Sequence, residues 1–281
     1  MNYFTALLKF EGMVSRQDYN IGLGYQLMAL FPVLLSIPHG GDQIPPELVA
    51  HAVISKQDML ADSDAFTREI YGIKKDVAFI VDTSIARIYV DLNRASSDLP
   101  PVNPDGIIKS QSCHGVRIYR HDLWQNQSLI NILLEKYYHP YHQKIQTILG
   151  QHNNLELMLD CHSMEAVGPV IGPDQGIERP AICLGSRYGQ SCDPSIVKQM
   201  AHAMRRAFEL KADQLTIDQP FAGGYITKHY GNNPVPCIQI ELNRRLYLEQ
   251  GWLDEQTEQI NTQKITELQQ KFRYALELFF A

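Results

Sequence analysis

The sequence predicts an α/β fold in which a mostly parallel or mixed central sheet is flanked by helices. Short apolar runs rich in branched residues alternate with longer segments whose apolar residues recur at helical spacing. Strands that alternate with helices are typical of a parallel sheet. The 281 residues, 44% of them hydrophobic, are enough for one large core, and neither a repeat nor a low-complexity segment marks a boundary. We therefore predict a single domain over residues 1–281, of a size typical of a catalytic domain.

In the N-terminal half, the first predicted strand is the buried apolar run Val33–Ile37, which a Pro-His-Gly-Gly breaker cluster ends. Apolar residues at helical spacing predict a helix over 58–72, and a second apolar run predicts a strand over 77–81. Alternating apolar and polar residues indicate a half-buried strand over 88–92. Residues 96–126 contain several prolines and little periodicity, which predicts a long loop of a kind that is often functional.

In the C-terminal half, helical spacing predicts a helix over 129–149, with Pro140 as a kink or break. Asp193 followed by Pro194 is typical of the start of a further helix. Strands are predicted over Leu155–Leu159, Ala181–Leu184 and Cys237–Leu242. The long final helix is striped by Ile265, Leu268, Phe272, Ala275 and Phe279. Residues 1–30 have no clear period, and we expect them to wrap the surface or to contribute to a pocket.

Charge and cysteine usage narrow the class of protein. A formal net charge of −6 gives no electrostatic footprint for nucleic acid. Five scattered cysteines without a CxxC pair indicate reduced thiols and a cytoplasmic setting. No apolar run approaches the ~20 residues that span a bilayer, and the N-terminus lacks the features of a signal peptide. We predict a cytoplasmic protein with a small-molecule substrate and with neither a nucleic-acid nor a membrane partner; the oligomeric state stays open.

Two histidines stand where predicted buried strands end. His39 follows the first strand, and His162 follows the strand at 155–159, two residues after Asp160. In open α/β sheets ligands bind at this rim, and two neutral imidazoles with a carboxylate can form a zinc site. Asp160 could orient His162 from outside the metal shell. The alternative is that each histidine only caps its strand.

The third metal ligand is left open by the sequence. Asp42 lies three residues after His39, which lets both reach one metal from a tight loop. Asp62, Asp64 and Glu47 are rivals, and each of these acids could equally be a solvated surface residue.

Glu241 is an acid in an otherwise apolar strand. An unpaired buried charge costs several kcal/mol, so this carboxylate is either paired, with Arg244 or Arg245, or functional. A general base beside a metal-bound water is the functional interpretation.

Arginines cluster at the end of the strand predicted over 88–92. Arg87, Asn93 and Arg94 could bind a carboxylate or a developing oxyanion, or could form structural ion pairs with Asp91 or Asp98.

Three other features give less indication of a catalytic or binding role. Lys228 and His229, after a Gly-Gly loop, are anion contacts or simply exposed. His139 and His142 are interpreted as packing residues. Ser163 lacks the Gly-x-Ser-x-Gly elbow of a serine nucleophile.

Six motifs in order resemble the N-formylglutamate amidohydrolase family over about residues 33–250. They are Ser-Ile-Pro-His-Gly-Gly at 36–41, Ala-Arg-Ile-Tyr-Val-Asp-Leu-Asn-Arg at 86–94, Tyr-His-Pro-Tyr-His at 138–142, Asp-Cys-His-Ser at 160–163, Gly-Gly-Tyr-Ile-Thr-Lys-His-Tyr-Gly at 223–231 and Gln-Ile-Glu-Leu at 239–242. The resemblance implies a zinc-carboxypeptidase-like (phosphorylase/hydrolase-like) fold, related to aspartoacylases, and one Zn²⁺ per chain.

The resemblance also implies the roles of individual residues. His39 and His162 would be metal ligands, with Asp42 or Asp64 as the carboxylate ligand. Glu241 would be the catalytic glutamate and Arg87 would assist it. The substrate would be bound by Asn93, Arg94, Tyr225 and Lys228. The implied reaction is metal-dependent hydrolysis of N-formyl-L-glutamate to L-glutamate and formate, as in histidine degradation.

Two departures from the family pattern affect this interpretation. Carboxypeptidase-type sites have His-x-x-Glu, whereas Asp42 stands at that position, and relatives carry an acidic pair that matches Asp62 and Asp64. The loop before Gly223 lacks the arginine that relatives often carry near Pro220, so the substrate can differ. The alternatives are a carboxypeptidase or deacylase for another N-acyl amino acid, and a non-catalytic binding protein on the same fold.

Overall fold

The computed structural model describes residues 30–169, 174–248, 253–254 and 259–281. Its centre is a six-stranded sheet in the order β2-β1-β3-β6-β4-β5, in which only the β4–β6 pair is antiparallel. The strands are β1 (Phe31–Ile37), β2 (Val77–Asp82), β3 (Leu157–Met164), β4 (Ile182–Gly185), β5 (Leu215–Ile217) and β6 (Cys237–Asn243); β7 (Leu253–Asp254) and β8 (Gln259–Ile260) form a separate pair. The predicted α/β fold with a mixed, mostly parallel sheet is confirmed.

Seven α-helices surround the sheet in the described part of the chain. They are α1 (Lys56–Asp62), α2 (Thr67–Ile70), α3 (Gln127–Leu133), α4 (His139–Gln151), α5 (Pro194–Ala207), α6 (Tyr225–Tyr230) and α7 (Thr262–Phe280). Short 3-10 helices cover Pro46–Leu48, Leu123–Gln125, Ala212–Gln214 and Arg244–Leu246, and a π-helical turn covers Leu134–Tyr138. This turn joins α3 to α4, and Pro140 lies in the first turn of α4, where its missing N–H needs no partner.

The core has two layers because successive side chains of a strand point to opposite faces. Val33, Leu35 and Ile37 of β1 pack into one layer with α5 and α7, whereas Leu34 packs into the other with residues of α3, α4 and the long loop. All five apolar residues predicted to stripe the final helix are buried in α7. Because β1, β3 and β6 are parallel neighbours, their carboxyl ends lie side by side at one edge of the sheet.

Two predicted elements are wrong. The helix over 58–72 is interrupted at Ser63–Phe66, where Phe66 adopts a left-handed φ of 62°, so α1 and α2 are separate. The strand over 88–92 is a turn in which Tyr89 N and Val90 N both donate to Ala86 O. All five of its residues are buried under the long loop, so its alternation did not reflect a sheet face. The short strand β5 was not predicted.

Some expectations fall outside the described residues. Those for residues 1–30 do so, apart from Leu30, whose side chain is exposed. In the described part of the chain no helix has the length and apolar character needed to cross a bilayer.

Candidate functional site

Three side chains from distant parts of the chain meet at the carboxyl end of the sheet. His39 follows β1, His162 lies on β3, and Asp64 lies in the break between α1 and α2. The two histidine Nδ1 atoms are 3.1 Å apart, and Asp64 Oδ2 is 2.9 Å from Nδ1 of His162 and 3.4 Å from Nδ1 of His39. All three residues are buried.

The opposite ring nitrogens fix which imidazole atoms face this cluster. Nε2 of His39 lies 2.7 Å from Asp91 Oδ1, and Nε2 of His162 lies 3.1 Å from Asp160 Oδ1. With a proton on each Nε2, donated to Asp91 or Asp160, both rings would present a lone pair on Nδ1, which is the form that a metal ligand requires. Asn93 Nδ2 also lies 3.3 Å from Nε2 of His162.

This donor set fits a metal ion. Two Nδ1 lone pairs and one carboxylate oxygen converge, and without a cation between them they would repel one another. Tetrahedral ligands at about 2.0–2.1 Å from zinc are about 3.3 Å apart, close to the three distances in the cluster.

The backbone around Asp64 explains how this acid reaches the cluster. Asp64 N donates to His39 O, and the Thr67 hydroxyl donates to Asp64 O. Ser163 N donates to Asp64 Oδ2. Helical periodicity continues through this segment, so no local pattern in the sequence indicates the break.

The other acids considered as the third ligand lie elsewhere. Asp42 is exposed and outside the cluster, because its backbone N–H is bonded to Ser84 O in the loop beyond β1. Asp62 accepts from Lys109 Nζ at 3.0 Å, and Glu47 is bonded to Lys136 and Tyr137. Of Asp42 and Asp64, the two acids implied by the family resemblance, the structure brings only Asp64 to the histidines.

Glu241 lies next to the cluster. It is the β6 residue paired in register with His162 of β3, it is 7% exposed, and Gln239 Nε2 donates to its Oε1 at 2.9 Å. Burial raises the pKa of Glu241 to about 7. Among the described residues no arginine or lysine nitrogen lies within ion-pair distance of it: Arg244 pairs with Asp64 and Glu165, and Arg245 with Glu178.

These residues line a cavity of about 580 Å³. Arg87 enters it and is held by Asp91 Oδ2 at 2.8 Å, with Asp64 Oδ1 at 3.5 Å. Arg94 also lines the cavity, but its guanidinium is paired with Asp105, whose side chain is half exposed.

The remaining predicted substrate-binding residues are placed differently. Asn93 lines the cavity, and its Oδ1 accepts from Ile226 N at the start of α6. Tyr225 and Lys228 do not line it: Tyr225 stacks on His229, and Lys228 is exposed. His142 is buried between Tyr230 OH and Leu92 O, as a packing residue would be.

A second group of possible metal ligands lies at the rim of the cavity. Cys113, His114 and Glu165 present their ligand atoms within 4.8 Å of one another. His114 Nε2 is 2.9 Å from Glu165 Oε1. Burial and the neighbouring Asp62 raise the pKa of the Cys113 thiol to about 12, so this sulfur is protonated near neutral pH. The group around Cys113 is therefore a weaker set of metal ligands than His39, Asp64 and His162.

Sequence reasoning missed several cavity residues, namely Lys109, Gln239, Arg179 and Arg187. Gln239 had a signal, because it is the only other polar side chain in the β6 sequence before Glu241. The others lie in loops without periodicity, and only the fold brings them to the cavity.

Comparisons with known proteins agree with this architecture. Residues 31–248 match the family model described as N-formylglutamate amidohydrolase. The chain is 25% identical over 227 residues to an N-formylglutamate deformylase of Pseudomonas putida, covering 78% of this chain and 82% of the relative. It is 26% identical to the N-formylglutamate deformylase of Pseudomonas aeruginosa, covering 78% and 83%. The crystal structure of an N-formylglutamate amidohydrolase from Ralstonia eutropha JMP134 superposes with a TM-score of 0.71 at 21% identity, covering 89% and 93%.

Proposed function

We propose that this chain, which belongs to the N-formylglutamate amidohydrolase family, is a zinc-dependent amidohydrolase acting on N-formyl-L-glutamate. The products would be L-glutamate and formate. The support from relatives is that two proteins 25% and 26% identical are named N-formylglutamate deformylase.

One observation carries the metal-dependent part of the proposal. The two Nδ1 atoms face each other at 3.1 Å, and Nε2 of each ring lies 2.7 Å from Asp91 (His39) or 3.1 Å from Asp160 (His162), both of which are buried carboxylates. Such carboxylate–histidine pairs are the usual outer support of zinc ligands. His39, Asp64 and His162 would hold the ion, and a catalytic zinc site with three protein ligands would also bind water.

In the proposed reaction, water and the carbonyl are activated at a bound zinc ion, and Glu241 transfers the proton. A zinc ion, when bound, supplies a Lewis acid that acidifies water and polarises the carbonyl. Glu241 accepts a proton from the attacking water, whose oxygen adds to the formyl carbon. The C–N bond then breaks, and Glu241 returns the proton to the departing amine nitrogen. Burial raises the pKa of Glu241 above its ordinary value and a bound cation would lower it again, so this carboxyl can both accept and return a proton near neutral pH.

Arg87 and Asn93 are proposed to act on the substrate next to the metal ligands. Arg87 is fixed by Asp91, so its charge is already oriented when negative charge develops on the carbonyl oxygen. Arg94 is proposed to bind the α-carboxylate, which requires Asp105 to turn toward solvent. Tyr225 and Lys228 lie outside the cavity lining, so the proposal assigns them no direct contact with the substrate.

The cellular setting is also a proposal. All five cysteines are free thiols, in keeping with a reducing cytoplasm.

A metal assay and a substrate panel test the proposed function. We expect one zinc ion per purified chain and release of free amino acid from N-formyl-L-glutamate in preference to N-acetyl-L-glutamate and dipeptides. Preference for an N-acetyl compound or a dipeptide would favour the deacylase or carboxypeptidase alternative. Bound zinc without turnover of any compound would favour the non-catalytic alternative, against which the assembled His39, His162 and Glu241 argue.

A further inference from the structure

The positive charges of the cavity are almost all neutralised within the protein. Six arginine and lysine side chains line it: Arg87, Arg94, Lys109, Arg179, Arg187 and Arg244. Five of the six have a carboxylate oxygen within 4.0 Å. In the described residues Arg187 has none, and its guanidinium is the cavity charge left for a ligand.

The hydrogen bonds of Arg187 agree with this charge count. Its Nη1 donates to Gly223 O at 3.3 Å, and its Nε is buried without a partner in the described structure. A buried donor without a partner is costly. A ligand oxygen that accepted from Nε and from the other terminal nitrogen would remove that cost.

The protein holds Arg187 in place through its backbone. Arg187 N donates to Ala222 O at 2.6 Å, and the residue has a left-handed φ of 54°. The preceding Ser186 is fixed by Asp218, which accepts from its N–H at 2.6 Å and from its hydroxyl at 2.7 Å. Non-glycine residues in this conformation are uncommon, and they cluster at ligand sites.

Gly223 provides the space for the side chain. A Cβ at Gly223 would lie 3.1 Å from Cδ of Arg187, and the φ of Gly223 is 122°. Gly223 and Arg187 are therefore neighbours in the cavity lining, and Arg187 makes no ion pair with the proposed metal ligand Asp64.

We propose that Arg187 binds the side-chain carboxylate of the substrate and so selects N-acyl amino acids with an acidic side chain. This inference rests on the proposed function. A planar guanidinium fork matches a carboxylate with two parallel hydrogen bonds. Arg87 and Asn93 lie against the metal ligands, where the scissile amide would bind, so Arg187 is left for the group farther along the substrate.

The test compares N-formyl-L-glutamate with N-formyl-L-glutamine, whose side chain is a neutral amide of the same size. For Arg187→Gln we expect kcat/KM on the acid to fall about 10- to 150-fold, mainly through KM, the equivalent of one charged hydrogen bond. Activity on the amide should change less than about threefold. Arg187→Lys, which keeps the charge but loses the fork, should lie between.

Arg179→Gln is the matched control. Arg179 lines the same cavity, but both its Nε and its Nη2 are bonded to Asp174. The acid-to-amide ratio of this variant should equal that of the wild type. An equal loss on both substrates in Arg187→Gln would overturn the proposal, and so would an unchanged ratio. A loss that disappears instead with the α-amide, N-formyl-isoglutamine, would assign Arg187 to the other carboxylate and overturn it too.

Binding of glutarate separates this inference from the proposed function. If the wild type hydrolyses no N-formyl compound, the proposed function fails, yet calorimetric titration with glutarate still tests Arg187. We expect at least about tenfold weaker glutarate binding by Arg187→Gln, in protein whose thermal melting matches the wild type. If that variant does not fold, Arg187→Lys carries the same comparison. Equal glutarate affinity in wild type and variant would contradict the proposal.

Discussion

His162 and Glu241 are register partners on the adjacent parallel strands β3 and β6, and both side chains are buried at the same end of the sheet. Their strands are the two central ones, so neighbouring strands and both core layers restrict their movement. The backbone hydrogen bonds between β3 and β6 thereby place a candidate metal ligand next to a candidate proton acceptor. This is the kind of rigid placement that catalysis requires.

Glu241→Gln tests whether this carboxyl is a base. The amide keeps the size of the side chain and its contact with Gln239 but cannot take up a proton. We expect kcat to fall by ~10²–10⁴, the usual loss for a positioned base, while zinc content and thermal melting stay as in the wild type. An early-melting variant with wild-type turnover per folded molecule would instead show that Glu241 is structural.

The pH profile tests the same group independently. Burial raises the pKa of Glu241 from its ordinary 4.5 to about 7, and only the carboxylate accepts a proton. A bound divalent cation would lower that pKa again, so kcat/KM should rise with pH and reach half its maximum between about 4.5 and 7. A profile with no acid limb above pH 4.5 would contradict the assignment.

The sign of the stability effect follows from the same pKa. A carboxyl whose pKa is higher in the folded state binds more protons when folded, so its contribution to stability is present below about pH 4.5 and is lost as the pH rises through about 7. In metal-free protein, the free energy of unfolding should therefore fall less between pH 5 and 8 in Glu241→Gln than in the wild type, as denaturant titrations can measure.

The strand ends of the site could be predicted from sequence, because the signal is local. An apolar run followed by Pro-His-Gly-Gly identifies both the end of β1 and His39, and a single acid in an apolar strand identifies Glu241. These patterns hold whatever the rest of the chain does. Each family motif is a weak signal by itself, and the resemblance depends on six of them occurring in the family's order.

Asp64 and Asp91 show where such reasoning stops. The choice among Asp42, Asp62 and Asp64 depends on the break at Ser63–Phe66, and this break is stabilised by contacts with His39 O and Ser163 N from other elements. Asp91 was interpreted as an ion-pair partner for Arg87, which it is, but it also bonds His39, 52 residues away. Tertiary contacts of this kind have no periodicity in the sequence.

Asp64→Asn and Asp42→Asn form a matched pair for the third ligand. The first change weakens a buried donor next to two imidazoles, whereas the second alters an exposed side chain. We expect Asp64→Asn to lose bound zinc and activity, and Asp42→Asn to retain both. Metal analysis of dialysed protein is the measurement. Full zinc occupancy in Asp64→Asn would show that Asp64 is not a ligand, and loss of zinc in Asp42→Asn would indicate that Asp42 is.

Lys109→Met tests the buried charge network beneath the site. Lys109 is 2% exposed, and its Nζ lies 3.0 Å from Asp62 Oδ2 and 2.7 Å from Asp105 Oδ1. Removing one partner of a buried pair leaves the other charge uncompensated, so we expect the free energy of unfolding to fall by ~3–5 kcal/mol. Lys271→Met is the control, because Lys271 pairs with Glu209 and Glu267 on the surface and should cost ~0–1 kcal/mol.

The acid dependence of the same variant supplies a second measurement. Burial alone would raise the pKa of Asp62, but the charge of Lys109, with that of Arg87, lowers it to about 2. The stability that Asp62 contributes is therefore present above its ordinary pKa of 3.8 and is lost as the pH falls toward 2. Without Lys109 the pKa of Asp62 should rise, so Lys109→Met should lose less of its remaining stability between pH 5 and 3 than the wild type loses. Equal slopes in urea titrations across that range would show that Lys109 does not govern the charge of Asp62.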